Sequence, residues 1–324
     1  MPPNRRKRKP AASRKKRQAA APAPEIANPL LTERTMGNIH RLLAQHEFDS
    51  LEETQAFLND LIASGEPIEA PPETDAERAQ ELIYQAYDER NQRKRTRLAR
   101  QALEIFPDCA DAYVLLAEHA RTIEEARDLY AQGVEAGKRA LGDEFEDLQG
   151  EFWVFHETRG YMRAREGLAT TLWGMDERAG ALEHLQEMLR LNPNDNQGVR
   201  YILVNWLLAE GDVDAATSLL DAYKEDIMAS WRYSRALALF LRHGAGRRAN
   251  RALKEAFEWN PFVAPYLIGV GPEPEPPVAV RFQDPTEAAS YLFEGGAEAW
   301  LTHEPAMKWL LDQFESNLSS LIGR

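Results

Sequence analysis

At 324 residues the chain is long enough for one large or two ordinary domains, and its 44% hydrophobic content supports a packed core. The net charge of −13 is split: residues 1–24 hold nine Lys or Arg and no acid, which leaves 30 basic against 52 acidic residues, or −22, for the rest. An acidic body excludes broad nucleic-acid binding, the longest apolar run (Tyr201 to Ala209) is too short to span a bilayer, and the single cysteine, Cys109, excludes an intrachain disulfide.

Residues 1–24 are Pro, Ala and Lys/Arg without apolar periodicity, so a disordered basic tail is predicted, the one place where nucleic acid could bind. No apolar core follows that charge, so no secretory signal is read and a cytoplasmic address is expected. Residues 25–70 read as a helical extension and linker. NPLLTERTMGNIHRLLAQ and SLEETQAFLNDLIA carry helical patterns, the second opened by Ser50 with Glu53 in a capping-box spacing, before GEPIEAPPETD breaks the pattern.

Residues 71–268 carry a repeat. Ala181, Ala215 and Ala249 are spaced by 34, as are Leu185, Leu219 and Leu253, and in the preceding helix Leu172, Trp206 and Phe240. Pro193 and Pro261 are 68 apart, twice the period, and Gly211 and Gly244 fall between paired helices. Helix, turn, helix and closing proline at this period resemble the tetratricopeptide repeat. The alanines suit close helix crossings, the glycines a left-handed helix end, and the prolines a helix stop. Counting upstream gives about five units between Ala76 and Pro261, with roughly half a repeat inserted at GDEFEDLQGEFWVFHETRG, where Phe152, Trp153 and Phe155 are read as covering a gap. Cys109, at an inter-helix turn, is read as a small, partly buried thiol without chemical duty. Residues 269–285 are Pro-rich, and the seven prolines from Pro261 onward predict extended chain until Thr286. Residues 286–324 regain helical periodicity, anchored by Trp300, Trp309 and Leu310, and are read as capping helices. The fold class expected is an all-α, tetratricopeptide-like superhelix, or solenoid, with an N-terminal helical extension and a C-terminal cap.

AYVLLAEHARTIEEARDLYAQGVEAG, AFEWNPFVAPYLIG and EAASYLFEGGAEAW followed by AMKWLL go beyond a generic repeat. Together, over Asp108 to Leu311, they resemble the suppression-of-tumorigenicity-seven family, and NPNDNQGVRY is similar to bacterial stand-alone repeat proteins. The resemblance implies a repeat scaffold and offers no catalytic residue to carry over.

The seven histidines form no HExxH or other ligand spacing, and Glu183 and His184 point to different helix faces, so no metal, cofactor or catalytic site is expected. GAGRRAN lacks the strand a phosphate loop needs and is read as an inter-helix turn. The expected role is therefore a protein-interaction scaffold and not an enzyme; the alternative is a nucleic-acid or ribosome-associated factor using the basic tail. By repeat register the inward face carries Arg163, Glu166, Thr170 and Trp173, then Gln197, Arg200 and Val204, then Trp231 and Ser234. Arg163, Arg200 and Trp173 there would take an acidic or C-terminal peptide segment; the competing reading pairs Arg200 with a carboxylate such as Glu166 and makes Trp173 inter-repeat packing. Asn194, Asp195 or Asn196 would cap the helix that follows. In RNQRKRTRLAR, the residues Arg90, Arg93, Lys94 and Arg97 lie near one stripe, either a site for an acidic partner or a solvated outer face.

Overall fold

The computed structural model describes residues 29–322, all of whose regular structure is helical. The basic tail predicted at 1–24 lies outside the described residues. Helices α1 (Pro29–Ala44) and α2 (Leu51–Ala63) precede five pairs: α3 (Asp75–Asp88) with α4 (Gln92–Ile105), α5 (Ala110–Ala117) with α6 (Ile123–Leu141), and, after the short α7 (Glu144–Asp147), α8 (His156–Gly174) with α9 (Arg178–Leu191). The last two are α10 (Val199–Ala209) with α11 (Val213–Ala222) and α12 (Ala229–His243) with α13 (Arg247–Trp259). Then come α14 (Val263–Leu267), α15 (Pro285–Tyr291), a π-helical turn (Leu292–Gly296), α16 (Ala297–Leu301) and α17 (Glu304–Ile322).

Local chemistry sets the helix starts. Thr74 accepts the Glu77 N–H while the Glu77 carboxylate accepts the Thr74 N–H, a complete capping box on α3. At α2 only half of the expected box forms: Ser50 accepts the Glu53 N–H, but the Glu53 carboxylate reaches the Asp49 N–H. The turn glycines take positive φ: Gly211 at 77° and Gly244 at 71°. Gly244, with ψ near −166°, is in a region open essentially to glycine and not in the left-handed helical one expected.

Neighbouring pairs pack closely through small residues, with one core cluster around α3, α4 and α5 and a second running on through the array to α17. A Cβ on Gly137 would lie 2.8 Å from that of Tyr161, and one on Gly133 would lie 3.0 Å from that of Ala164, so α6 and α8 cross almost backbone to backbone. The 34-residue register holds at Ala181, Leu185, Ala249 and Leu253, all buried. In α11 it slips by one: Ala216 and Leu220 are buried while Ala215 and Leu219 are only partly so. The Asp212 side chain, which takes the Ala215 N–H, sets where that ten-residue helix begins, and the following residue then fills the crossing. Ala249→Leu and Ala216→Leu are therefore expected to lower stability by about 1–3 kcal/mol, and Ala215→Leu by clearly less. Urea unfolding of the three variants measures this; equal losses at 215 and 216 would refute the slipped register.

The half-repeat insert is packed into the array. Phe145, Phe152 and Tyr161 meet edge to face with centroids 4.9–5.7 Å apart. The Gly150 and Phe152 N–H groups donate to the Leu191 carbonyl at the end of α9. Beyond Pro261 the chain is not wholly extended: α14 forms because Pro265 lies within its first turn, where a missing N–H breaks no helical bond. Helix α17 closes the end of the array, with Trp309 stacked on Phe240 and donating to Asn250.

Candidate interaction surfaces

The first helices of the pairs present the face on which the repeat register places the inward residues. In the structure the chain covers that face itself. Helix α1 lies against α3 and α8. Its Glu33, 2% exposed, accepts from Arg163 at 2.7 Å, and Arg159 stands 3.5 Å away. Arg34 pairs with Glu81, and the Asn38 amide donates to the Ile68 carbonyl. At the other end α15, the π-turn and α16 lie against α10 and α12. The Glu-Gly-Gly of that turn explains how: a Cβ on Gly295, at φ 93°, would lie 3.0 Å from Trp206, and one on Gly296 2.6 Å from Tyr291.

Most inward residues consequently have partners within the chain, although the Gln197 Oε1 is buried without a hydrogen-bond partner. Arg163 grips Asp111 with two hydrogen bonds, at 2.8 and 2.6 Å, besides Glu33. Burial works against its charge, but Asp111 and then Glu33 more than offset that and raise its pKa well above the ordinary value. Glu166 accepts from Gln197 at 3.4 Å, and burial, followed by the charge of Asp195, pushes its carboxyl up. The Thr170 hydroxyl bonds back to the Glu166 carbonyl and is exposed. Trp173 stacks on Trp206 at 4.2 Å, lies under the Arg178 guanidinium at 3.9 Å, and donates to Glu298 at 2.9 Å. Arg200 does not pair with Glu166 but with Asp195 and Asp226, both at 2.7 Å, and stacks on Tyr201. Asp195 is the capping residue of the three expected, taking the Val199 and Arg200 N–H groups. Val204 and Trp231 are in the core, and the Ser234 hydroxyl is buried on Asn205. The expected open groove around Arg163, Arg200 and Trp173 is thus corrected: register turned these residues inward, and α1 and the C-terminal segment meet them there.

The outer face differs. On α4 the stripe is Arg93, Arg97 and Arg100, at i, i+4 and i+7, all exposed. Lys94 leaves the expected set by pairing with Glu89, and Arg90 precedes the helix. Arg93 and Arg100, with His119 and Arg121 from the α5–α6 turn and Glu125 from the first turn of α6, line a cleft of about 930 Å³. The His119 Nε2 is buried there without a hydrogen-bond partner. Arg93, Arg97, Arg100 and Arg121 have no ion-pair partner among the described residues. The Cys109 side chain is buried, and burial pushes its pKa up to about 12, which keeps it a thiol near pH 7. No helix of the described residues is long and apolar enough to cross a membrane.

Residues 71–149, from the start of α3 through α7, match the family model described as ST7 protein. The chain is 29% identical over 247 residues to the suppressor of tumorigenicity 7 protein-like of Bos taurus, covering 68% of this chain and 44% of that protein. It is 30% identical over 234 residues to that of Danio rerio, covering 65% and 40%. The chain spans less than half the length of these relatives. Among solved structures, YrrB, a TPR protein with an unusual peptide-binding site, superposes with a TM-score of 0.40 and 21% identity, over 55% of this chain and 81% of that one. With five paired helices in series the chain is a TPR-like repeat protein, whose first pairs match the ST7 family model and which is similar to ST7-like proteins along about two thirds of its length.

Proposed function

We propose that the protein is an interaction scaffold that holds an acidic segment of a partner protein in the cleft between α4 and the start of α6. One observation carries this reading: three arginines on successive turns of α4, with Arg121 across the cleft, keep unpaired charge on a body whose residues beyond the tail sum to −22. On so acidic a chain many arginines are met by carboxylates, as Arg163 and Arg200 are, whereas these four, three of them lining one cleft, have no such partner among the described residues. A guanidinium row spaced by helical turns matches carboxylates on an extended or helical segment, each pair held by two parallel hydrogen bonds. The first-helix face, whose arginines are paired with carboxylates of the chain, offers no comparable unpaired cation.

The test is fluorescence anisotropy of a labelled polyglutamate peptide against the full chain, and against Arg93→Glu/Arg97→Glu/Arg100→Glu, whose side chains are exposed. Because both proteins keep the basic tail, the difference reports the cleft. A loss of affinity of about tenfold or more, with circular dichroism unchanged, is expected. Undiminished binding by the triple variant would remove the proposal, as would a single-stranded oligonucleotide that binds tighter than the peptide at equal salt and is lost in the same variant.

A further inference from the structure

The structure brings together two histidines that lie far apart in the chain. His40 is on α1; His156 and Glu157 are the first two residues of α8. One ring nitrogen of each histidine and one oxygen of Glu157 all lie within 4.8 Å of one another. We propose that these three side chains form a site for a divalent transition-metal ion of the zinc class, which ties α1 to the start of α8.

Four features support the site. The His156 Nδ1 stands 3.2 Å from the Glu157 Oε2. Two ligands bonded to zinc at about 2.0–2.1 Å and at the tetrahedral angle lie about 3.3 Å apart, so one edge of a coordination shell already exists. That same Nδ1 is buried and makes no hydrogen bond, since the nearby carboxylate is out of line for one, which leaves its lone pair or proton without a use in the metal-free arrangement. His40 supplies the movable ligand. Its ring is exposed, its centroid is 5.2 Å from that of His156, and a change of rotamer closes the remaining gap. Finally, α1 is seated against this end of α8: a Cβ on Gly37, one turn before His40, would be in ordinary van der Waals contact with the His156 ring, 3.5 Å from its Nε2.

The protonation state agrees. Burial lowers the His156 pKa below its ordinary value; the charge of Glu157 acts the other way, and His40 and Arg159 add to the lowering. The imidazole is then neutral near pH 7, the form that binds metals. The neighbouring cations are themselves matched, Arg159 by Glu33 and Arg41 by Glu77. Two imidazoles and one carboxylate favour zinc, cobalt or nickel over magnesium or calcium, and leave at least one position for water.

The full chain, stripped with a chelator, is titrated calorimetrically with Zn²⁺, and with Co²⁺ for its visible absorption. One equivalent should bind, with the intense visible bands of tetrahedral cobalt. His40→Ala and Glu157→Gln, both at exposed positions that leave the core intact, should each weaken Zn²⁺ binding at least about tenfold, as loss of even an outer partner does. His46→Ala, outside the cluster, should bind as the parent does. In the parent, Zn²⁺ should also slow tryptic cleavage after Arg34 and Arg41 in α1, and it should not in His40→Ala. Absence of saturable binding, or equal affinity in His40→Ala and Glu157→Gln, would overturn the site; binding without protection of α1 would overturn the tie.

Discussion

Arg163→Met is expected to lower the stability of the protein by about 3–5 kcal/mol, read as a shift of the urea midpoint at unchanged slope. The guanidinium joins Asp111 of α5 to Glu33 of α1, and each carboxylate is 2% exposed. Methionine fills most of the volume but leaves buried Asp111 without its cation and Glu33 with only Arg159, 3.5 Å away, and the cost lies there and not in packing. Adding Glu33→Gln and Asp111→Asn to Arg163→Met should therefore recover part of the loss. A triple variant less stable than Arg163→Met alone would show that the network is not what holds α1. The same geometry means that charge reversal at Arg163 and Arg200 measures unfolding before it measures any partner.

Glu287→Gln is expected to cost about 3 kcal/mol or more and to loosen the C-terminal segment first. Glu287 is fully buried, and its carboxylate accepts four hydrogen bonds: from the Ala229 N–H at 3.0 Å, Trp259 Nε1 at 3.4 Å, Asn260 Nδ2 at 2.9 Å and the Gln283 N–H at 2.7 Å. Glutamine turns one of those oxygens into a donor facing two donors, so at least two N–H groups lose their acceptor inside the core. Amide hydrogen exchange should rise in residues 285–301 before it rises in α8 or α9. Uniform exchange along the chain, or a loss under 1 kcal/mol, would refute this account of how α15 is anchored.

The helix pairs could be read from residues such as Leu172, Trp206 and Phe240 because repeats pack on their neighbours in sequence, so a constant spacing records a constant contact. The slip at α11 was hidden because Ala215 and Ala216 are both alanine and only the three-dimensional start of the helix decides between them. What covers the first-helix face has no period to betray it: Glu33 meets Arg163 across 130 residues and Trp173 meets Glu298 across 125. The register was read as turning Arg163 and Arg200 toward a partner's carboxylates; in the structure they hold Asp111 and Glu33, and Asp195 and Asp226, of the chain itself. One clue was available in the family-like segments. AFEWNPFVAPYLIG and EAASYLFEGGAEAW meet through Asn260 and Trp259 on Glu287, so two of the stretches that carry the resemblance join where the cap docks. The cationic stripe on α4 was visible as a charge run, but its opening toward Arg121 and His119 required the turn between α5 and α6 to be placed.

The stacked pair Trp173 and Trp206 acquires its cover late when the protein is made from its N-terminus. Gly295, which presses on Trp206, and Glu298, which takes the Trp173 N–H, are added about 90 residues after Trp206 itself. At synthesis rates of about 5–20 residues per second that interval is roughly 5–20 s, long compared with helix formation and pair docking. Throughout it a largely folded array shows two indoles, and the Asn205 amide still awaits the Glu294 carbonyl. Each nascent chain thus passes through a state that chaperones can recognise by its bare aromatic face, and a message cut short before residue 294 would leave the protein in that state for good.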